Sequence, residues 1–241
     1  MEIFDSWLIN KYIADGGIVC TSCSKNSLCA YEKAVKKEYT ILLDVQSLSD
    51  GTIICFKECK LQNSTNKNGY VTNLTSIDVE TLTLKDGSKV PTFEEALSTI
   101  NGKVPVIVNI VNNTFTTKLE SSVLKILKNY NGEYAVCSSN PNSVEYFKNL
   151  NNPDLVYGIK VEDWQDKMEG SYKTKALKKL KFNKSCQPKF IMYYGLGLPN
   201  RFVRKYKTLP LIATDITSQE QYIKTIKHCD NITFVGFEPE I

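Results

Sequence analysis

Short apolar runs rich in β-branched residues alternate with longer amphipathic stretches along the whole chain. The short runs have the length of buried strands and the longer stretches have helical periodicity, so the pattern predicts repeated βα units around a parallel sheet. The eight predicted strands are Tyr12–Asp15, Thr40–Val45, Val104–Val111, Tyr134–Ser138, Leu155–Lys160, Phe190–Tyr194, Leu209–Thr214 and Asn231–Val235. The predicted helices are Asn26–Lys37, Thr92–Ile100, Thr117–Tyr130, Ser143–Leu150, Lys173–Phe182, Asn200–Lys207 and Ser218–His228. Eight strands interleaved with helices favour a closed TIM (β/α)8 barrel over an open sheet, whose edge strands would need protection.

One stretch interrupts this alternation after the second predicted strand. Asp50-Gly51 is the signal of a two-residue turn, and β-prone residues flank it on both sides. The second barrel strand is therefore expected to continue into a β-hairpin. With Asp50 and Gly51 as the turn residues, Ser49 pairs with Thr52, and the same register places Lys57 opposite Asp44.

Composition and charge narrow the class of protein. A chain of 241 residues with 42% hydrophobic and 23% charged residues is typical of one globular domain, here residues 1–241. The formal charge of +4 is small and the lysines are scattered, which argues against a nucleic-acid partner. No apolar run reaches the ~20 residues of a membrane span. Residues 1–10 contain two acidic side chains where a signal peptide would be basic, so a cytoplasmic location is expected.

The eight cysteines are too sparse for a disulfide scaffold, and most are expected to be buried thiols. Cys20 and Cys23 nevertheless form a C-x-x-C pair, and the later Cys55 and Cys59 have a spacing that would also suit zinc. A metal or redox role for these four residues therefore stands beside a role as small hydrophobic side chains. The second interpretation is favoured because C-x-x-C pairs often occur without either function.

A series of short motifs follows in a fixed order over residues 8–238. The motifs are Tyr12-Ile13-Ala14-Asp15-Gly16-Gly17, Ser24-Lys25-Asn26-Ser27-Leu28, Leu42-Leu43-Asp44-Val45 with Asp50-Gly51, Phe56-Lys57-Glu58, Asn68-Gly69 to Leu74-Thr75, Val90-Pro91-Thr92-Phe93-Glu94-Glu95-Ala96-Leu97, Ser138-Ser139-Asn140-Pro141 and Cys229-Asp230-Asn231-Ile232. In this order they resemble the bacterial glycerophosphodiester phosphodiesterases, and the run that begins at Val90 is the most specific. The resemblance implies a barrel of the PLC-like phosphodiesterase type with its site at the barrel mouth.

The sequence departs from the family pattern where histidines are usual. Family members commonly have His-Arg-Gly at the end of the first strand, and this chain has Asp15-Gly16-Gly17. Where the hairpin returns, His-Asp is replaced by Lys57-Glu58. The resemblance implies a reaction in which two histidines serve as acid and base. The chain contains one histidine, His228, at the end of the last predicted helix, so this mechanism is not available within one chain.

The positions that would hold the family's Ca²⁺ or Mg²⁺ also differ. Of the usual Glu-Leu-Asp on the second strand only Asp44 remains, with Leu42 in the Glu position, and the usual Glu-x-Lys is replaced by Asn109-Ile110-Val111. One carboxylate is too little for a hard divalent cation, so the site is expected to be lost and no cofactor is expected. Our hypothesis is that an ion pair between Lys57 and Asp44 replaces the metal.

Three functional interpretations follow. The leading one is a pseudoenzyme with a binding or structural role, which recognises a small phosphorylated or polyol-like ligand. The polar residues assigned to this site are Asp15, Asp44, Lys57, Glu58, Asn109 and Asp215, the last from a Thr214-Asp215 pair where the family usually has Trp-Thr. The alternative is a phosphodiester hydrolase with rewired chemistry, in which Asp15, Glu58 or Asp215 is the acid or base and Lys57 the electrophile. The third is a scaffold with a protein partner and an apolar patch around Phe4, Trp7 and Leu8, although these residues are more simply a segment that closes the barrel bottom.

Overall fold

The computed structural model describes residues 6–163 and 172–240. The chain forms two compact units, one of Ala14–Tyr134 and the other of Met1–Ile13 with Ala135–Ile241. In the described part, the strands are β1 (Ile13–Asp15), β2 (Thr40–Ser47), β3 (Ile53–Cys55), β4 (Val106–Ile110), β5 (Tyr134–Ser138), β6 (Tyr157–Val161), β7 (Phe190–Tyr194), β8 (Leu211–Ile216) and β9 (Asn231–Phe234). The α-helices are α1 (Trp7–Asn10), α2 (Leu28–Lys36), α3 (Ser76–Val79), α4 (Phe93–Ile100), α5 (Lys118–Leu127), α6 (Pro141–Asn149), α7 (Tyr172–Lys178), α8 (Asn183–Cys186) and α9 (Gln219–Thr225).

The strands form one sheet in the order β1-β9-β8-β7-β6-β5-β4-β2-β3, and β1 also pairs with β2. Neighbours β2 and β4, and successive strands from β5 to β9, run parallel, whereas β3 is antiparallel to β2. Every residue of β4 and β6 is buried, as parallel strands covered on both faces require. This is the strand order of a (β/α)8 barrel with β3 as an additional strand, and it confirms the predicted fold class.

The predicted strands agree with the structure to within two residues at each end. The start of α4 is also set locally, because Thr92 and Glu95 form the reciprocal bonds of a capping box. One predicted helix is wrong. Over residues 200–207 the chain forms only a 3-10 helix, Val203–Tyr206. The Asn200 side chain accepts a hydrogen bond from the Phe202 backbone N–H at 2.8 Å, a local bond that competes with helix formation.

The predicted hairpin forms, but the predicted register differs from the observed one by one residue. Val45 pairs with Cys55 and Ser47 with Ile53, so a five-residue connection replaces the two-residue turn. Asp50 in this connection accepts backbone hydrogen bonds from Ser76 at 2.7 Å and Thr52 at 3.0 Å, which lower the pKa of its carboxyl group. A slip of one residue reverses the face on which each side chain lies, so the register no longer sets Lys57 opposite Asp44.

The excursion after β2 is larger than a hairpin. Residues from both hairpin arms and from the following segment bury a separate apolar cluster, which consists of Leu48, Ile54, Phe56, Leu61, Val71, Val79, Leu82, Leu84 and Val90. This cluster gives the segment between β3 and α4 a core of its own, because each member removes apolar surface from water.

The amino-terminal helix is anchored within its own unit. Leu8 is buried, and Asn231 donates side-chain hydrogen bonds to the carbonyls of Leu8 and Lys11 at 2.9 and 2.8 Å. Trp7 is partly exposed, and Phe4 lies outside the described residues. Leu8 therefore does not contribute to an exposed apolar patch. Among the helices of residues 6–163 and 172–240, none has both the length and the apolar character needed to cross a membrane.

Candidate functional site

Asp15 ends β1 and is followed by two glycines in the left-handed region, Gly16 at φ 72° and Gly17 at φ 86°. A Cβ on Gly16 would lie 2.2 Å from the Lys25 side chain, and a Cβ on Gly17 would lie 2.5 Å from the Ala30 backbone. Two residues without side chains are therefore needed for the chain to turn closely beneath the segment that carries Lys25. The Asp15 carboxylate above this turn is only 2% exposed.

The neighbouring strands contribute Asp44 and Asn109 at the same level. Asp44 on β2 and Asn109 on β4 are register partners in the parallel pair. The Asn109 amide donates to Asp44 Oδ1 at 2.7 Å, and both side chains are buried. The amide thus satisfies one oxygen of a carboxylate that has no access to water.

The loop between β1 and α2 supplies the positive charge. Lys25 Nζ lies 2.7 Å from Asp15 Oδ2 and 3.7 Å from Asp44 Oδ2, and its side chain is 27% exposed. The next residue, Asn26, donates its amide to Asp44 Oδ2 at 3.2 Å. One ammonium group therefore neutralises part of the charge of two buried carboxylates, which would otherwise be costly to bury.

Asn26 is held in place by a buried phenol. The Tyr31 hydroxyl donates to Asn26 Oδ1 at 3.1 Å, and the Asn26 backbone N–H donates to the Gly16 carbonyl at 2.9 Å. Burial raises the pKa of Tyr31 well above its usual value, so the phenol stays protonated and remains a donor. The position of the Asn26 amide at Asp44 is thus fixed from both its side chain and its backbone.

Lys25 and Asn26 were not among the predicted site residues, although they lie in one of the motifs that carry the family resemblance. The hypothesis of a Lys57–Asp44 pair rested on a hairpin register that does not form, and Lys25 supplies an ammonium at Asp44. Asp15, Asp44 and Asn109 are brought together as predicted.

Glu58 and Lys57 are partly buried residues just after β3. Glu58 lines a cavity of about 230 Å³ together with Lys25 and Asn26 of the site and with Lys85. The rest of the wall comes from Val19, Cys20, Ser24, Phe56, Ser64 and Leu84. The wall of this cavity therefore includes two lysines and one glutamate, and it contains Lys25 of the Lys25–Asp15 pair.

Asp215 and His228 belong to the other compact unit. Asp215 lies at a bulge in β8 with φ 61°, where it accepts a hydrogen bond from Thr214 Oγ1 at 2.9 Å. His228 is exposed at the end of the 3-10 helix Ile226–His228 that follows α9, as expected for a surface residue. The same unit contains a buried charge that the sequence pattern did not reveal, Lys160 on β6, which pairs with Glu162 at 3.1 Å.

Both Asp44 oxygens and Asp15 Oδ2 already have partners that a divalent cation would have to displace. Each of the two Asp44 oxygens already accepts a hydrogen bond from a side-chain amide, and the Lys25 ammonium supplies positive charge where a metal cation would supply it. Ca²⁺ and Mg²⁺ need several oxygen ligands, and the described residues contain no group of three or more His, Cys, Asp or Glu that could hold a metal.

The cysteines differ from expectation. Cys23 forms a disulfide with Cys29, and Cys20 and Cys59 are exposed, so only Cys55, Cys137 and Cys186 are buried free thiols. Burial raises the pKa of Cys55 to about 12, which disfavours the thiolate that zinc binding requires. The spacing of Cys20, Cys23, Cys55 and Cys59 therefore does not produce the zinc ligand set that it would suit.

The sequence matches the model of the glycerophosphoryl diester phosphodiesterase family over residues 17–207. The chain belongs to this family. A search of curated proteins found no match. Among solved structures, a phosphodiesterase from Oleispira antarctica in complex with its product sn-glycerol-3-phosphate superposes with a TM-score of 0.77 at 14% identity, over 95% of this chain and 93% of the other.

Two further glycerophosphodiester phosphodiesterases have the same fold. The one from Parabacteroides distasonis has a TM-score of 0.75 at 17% identity, over 93% of this chain and 92% of its own. The one from Thermotoga maritima has a TM-score of 0.70 at 15% identity, over 92% and 93%. The family assignment and the TIM barrel of this phosphodiesterase family are thus confirmed, and at these identities the structural likeness concerns the fold alone.

Proposed function

We propose that this chain is a catalytically degenerate member of the glycerophosphoryl diester phosphodiesterase family, which has kept the barrel for binding. The observation that carries the proposal is the ammonium of Lys25, 2.7 Å from Asp15 and 3.7 Å from Asp44. An ammonium group supplies charge but has no vacant coordination position with which to activate water or polarise a phosphate. The chain's only histidine is exposed at His228, which leaves no imidazole near these carboxylates for acid or base work within Ala14–Tyr134.

The proposed degeneracy has a direct test. Purified protein is expected to hydrolyse neither glycerophosphocholine nor bis(p-nitrophenyl) phosphate above background in Ca²⁺, Mg²⁺ or Mn²⁺, whereas an active family member assayed in parallel turns them over. Turnover that a chelator abolishes would contradict both the proposed loss of the metal and the degeneracy.

The second candidate function is a hydrolase with rewired chemistry. The observation that favours it is the partly buried Glu58, which lines the same cavity as Lys25 and Lys85. This cavity therefore combines a carboxyl group that can act as acid or base with two cationic residues. Turnover that persists in chelator and is lost in Glu58→Gln would support this function over the first. The third interpretation, a scaffold, predicts that a mass measurement finds a stable assembly. The cytoplasmic location expected from the sequence stays a prediction.

The ligand we propose is a small phosphorylated polyol. The cavity of about 230 Å³ is lined by Lys25 and Lys85, which carry positive charge suited to an anionic group, and by Ser24 and Ser64, which carry hydroxyls suited to polar contacts. The Oleispira antarctica relative was solved with sn-glycerol-3-phosphate, a molecule of this class. The negative Glu58 disfavours a second negative group, so a single phosphate is better accommodated than a larger polyanion.

Ligand linkage tests this proposal. At a concentration ten times its Kd, sn-glycerol 3-phosphate is expected to stabilise the protein by roughly 1.4 kcal/mol, which corresponds to a rise in melting temperature of about 3–5 °C. Lys85→Gln should reduce the rise, and glycerol and sulfate at the same concentration should not reproduce it. An unchanged melting temperature up to solubility would contradict the proposed ligand.

A further inference from the structure

Three cysteines lie close together at the start of the loop that carries Lys25. Cys23 and Cys29 form a disulfide, with a Cα–Cα distance of 5.6 Å, and Cys20 is a free, exposed thiol. Cys20 and Cys23 face each other across a tight turn, where each backbone N–H donates to the other's carbonyl at 3.0 and 3.1 Å. Residues paired in this way have Cα atoms about 5.5 Å apart. This separation is within the range found in disulfides, so both Cys29 and Cys20 lie close enough to Cys23 to form a disulfide with it.

The Cys20 thiol is activated by its surroundings. Lys33 Nζ on α2 lies 2.8 Å from Cys20 Sγ, and Ser22 Oγ lies 3.4 Å from it. The hydrogen bond from Lys33 is the largest cause that lowers the pKa of Cys20 to about 7, so a large fraction is thiolate at neutral pH. Cys229 shows the opposite case, because burial raises the pKa of its thiol to about 12.

We propose that Cys20 exchanges with the Cys23–Cys29 disulfide and that this exchange changes how the Lys25–Asn26 loop is held. The Cys20 thiolate donates an electron pair to Cys23 Sγ, the Cys23–Cys29 bond breaks, and its electron pair leaves on Cys29, which then takes a proton from solvent. One thiol and one disulfide are present before and after, so the step needs neither an oxidant nor a reductant.

The leaving group is well placed for this step. Cys29 is the second residue of α2, and the positive end of a helix dipole favours a thiolate in the first turn. A better leaving thiolate accelerates exchange, and the reverse attack by Cys29 restores the first isomer. The two isomers can therefore interconvert.

The exchange alters the covalent frame of the candidate site. In the Cys23–Cys29 isomer, the disulfide closes a loop that contains Lys25 and Asn26 and ties residue 23 to the first turn of α2. In the Cys20–Cys23 isomer, this tie is absent and the link lies wholly before Lys25. The segment that places an ammonium between Asp15 and Asp44 thus gains conformational freedom on exchange. This inference does not depend on the proposed function.

Trypsin separates the two isomers by peptide mass. Cleavage after Lys11, Lys25 and Lys33 puts Cys20 and Cys23 in residues 12–25 and Cys29 in residues 26–33. Native protein is treated with iodoacetamide, quenched in acid and digested without reductant. The expected result is a population with carbamidomethyl-Cys29 and an internal disulfide in residues 12–25. In Cys20→Ser, labelled Cys29 should be lost entirely while residues 12–25 and 26–33 stay linked.

Two results would overturn the proposal. One is wild-type protein in which label enters only Cys20 and the two peptides are always linked, and the other is label on all three cysteines, which would mean that no disulfide exists.

Lys33→Gln tests the activation separately. Without the ammonium, the thiolate fraction of Cys20 falls. The intrinsic nucleophilicity of the remaining thiolate rises by a smaller factor, so the initial rate of Cys29 labelling at pH 7 should fall by about five- to tenfold. Lys36→Gln, an exposed lysine at the end of the same helix, is the matched control and should label at the wild-type rate. Equal rates in the two variants would reject the role of Lys33.

Discussion

Replacement of Lys25 by Met is expected to lower the melting temperature by about 5–10 °C. Met keeps most of the length and apolar character of the side chain but removes the ammonium that lies 2.7 Å from Asp15 and 3.7 Å from Asp44. Removing one partner of a fully buried ion pair costs about 3–5 kcal/mol. Because Lys25 is 27% exposed, solvent screens part of the charge, and we expect roughly 2–3 kcal/mol.

Lys85→Met is the matched control for this substitution. Lys85 lines the same cavity but its side chain is exposed, so its loss should change the melting temperature by less than about 2 °C. Thermal unfolding of the wild type and both variants in one buffer gives the comparison. A Lys25→Met protein as stable as the wild type would show that the carboxylates do not need this ammonium, and the replacement of the metal by Lys25 would then be wrong.

Gly17→Ala is expected to destabilise the protein by roughly 2–5 kcal/mol. At φ 86° an alanine is strained, and its Cβ would lie 2.5 Å from the carbonyl carbon and oxygen of Ala30 in α2. A left-handed conformation costs about 1–2 kcal/mol for a residue with a Cβ, and overpacking against backbone that must move adds about 1–3 kcal/mol.

The two contributions can be separated with a second glycine. Gly87 has a similar φ of 83°, but a Cβ there would meet nothing within 4 Å. Gly87→Ala should therefore show only the conformational cost of about 1–2 kcal/mol. Urea unfolding measures both variants. Equal losses would mean that the close approach of Gly17 to α2 contributes nothing beyond its backbone angle.

Much of the site's chemistry was predictable because it depends on which residue types are present. A chain with one histidine has no two-histidine mechanism, whatever its fold. The convergence of Asp15, Asp44 and Asn109 was also predictable, because the carboxyl ends of adjacent parallel strands lie at one edge of a sheet. The pairing of Lys57 with Asp44 was predicted from a hairpin register that does not form, and the structure places Lys25 at Asp44. Lys25 and Lys57 are both lysines near that strand in sequence, and only the path of the loops distinguishes them.

The amino-acid sequence by itself determined the strands and the barrel class, because both follow from the alternation of short apolar runs with amphipathic stretches. Only the tertiary structure decided the one-residue slip of β3 against β2 and the choice of Lys25. It also paired Cys23 with Cys29 rather than with Cys20. The hairpin connection is held by Ser76, far along the chain, and the position of Lys25 is set by the glycine turn beneath it. Contacts between residues far apart in the chain decide a strand register, an ion-pair partner or a disulfide partner. They do not depend on the periodicity of neighbouring residues, so the hydrophobic pattern of the sequence does not reveal them.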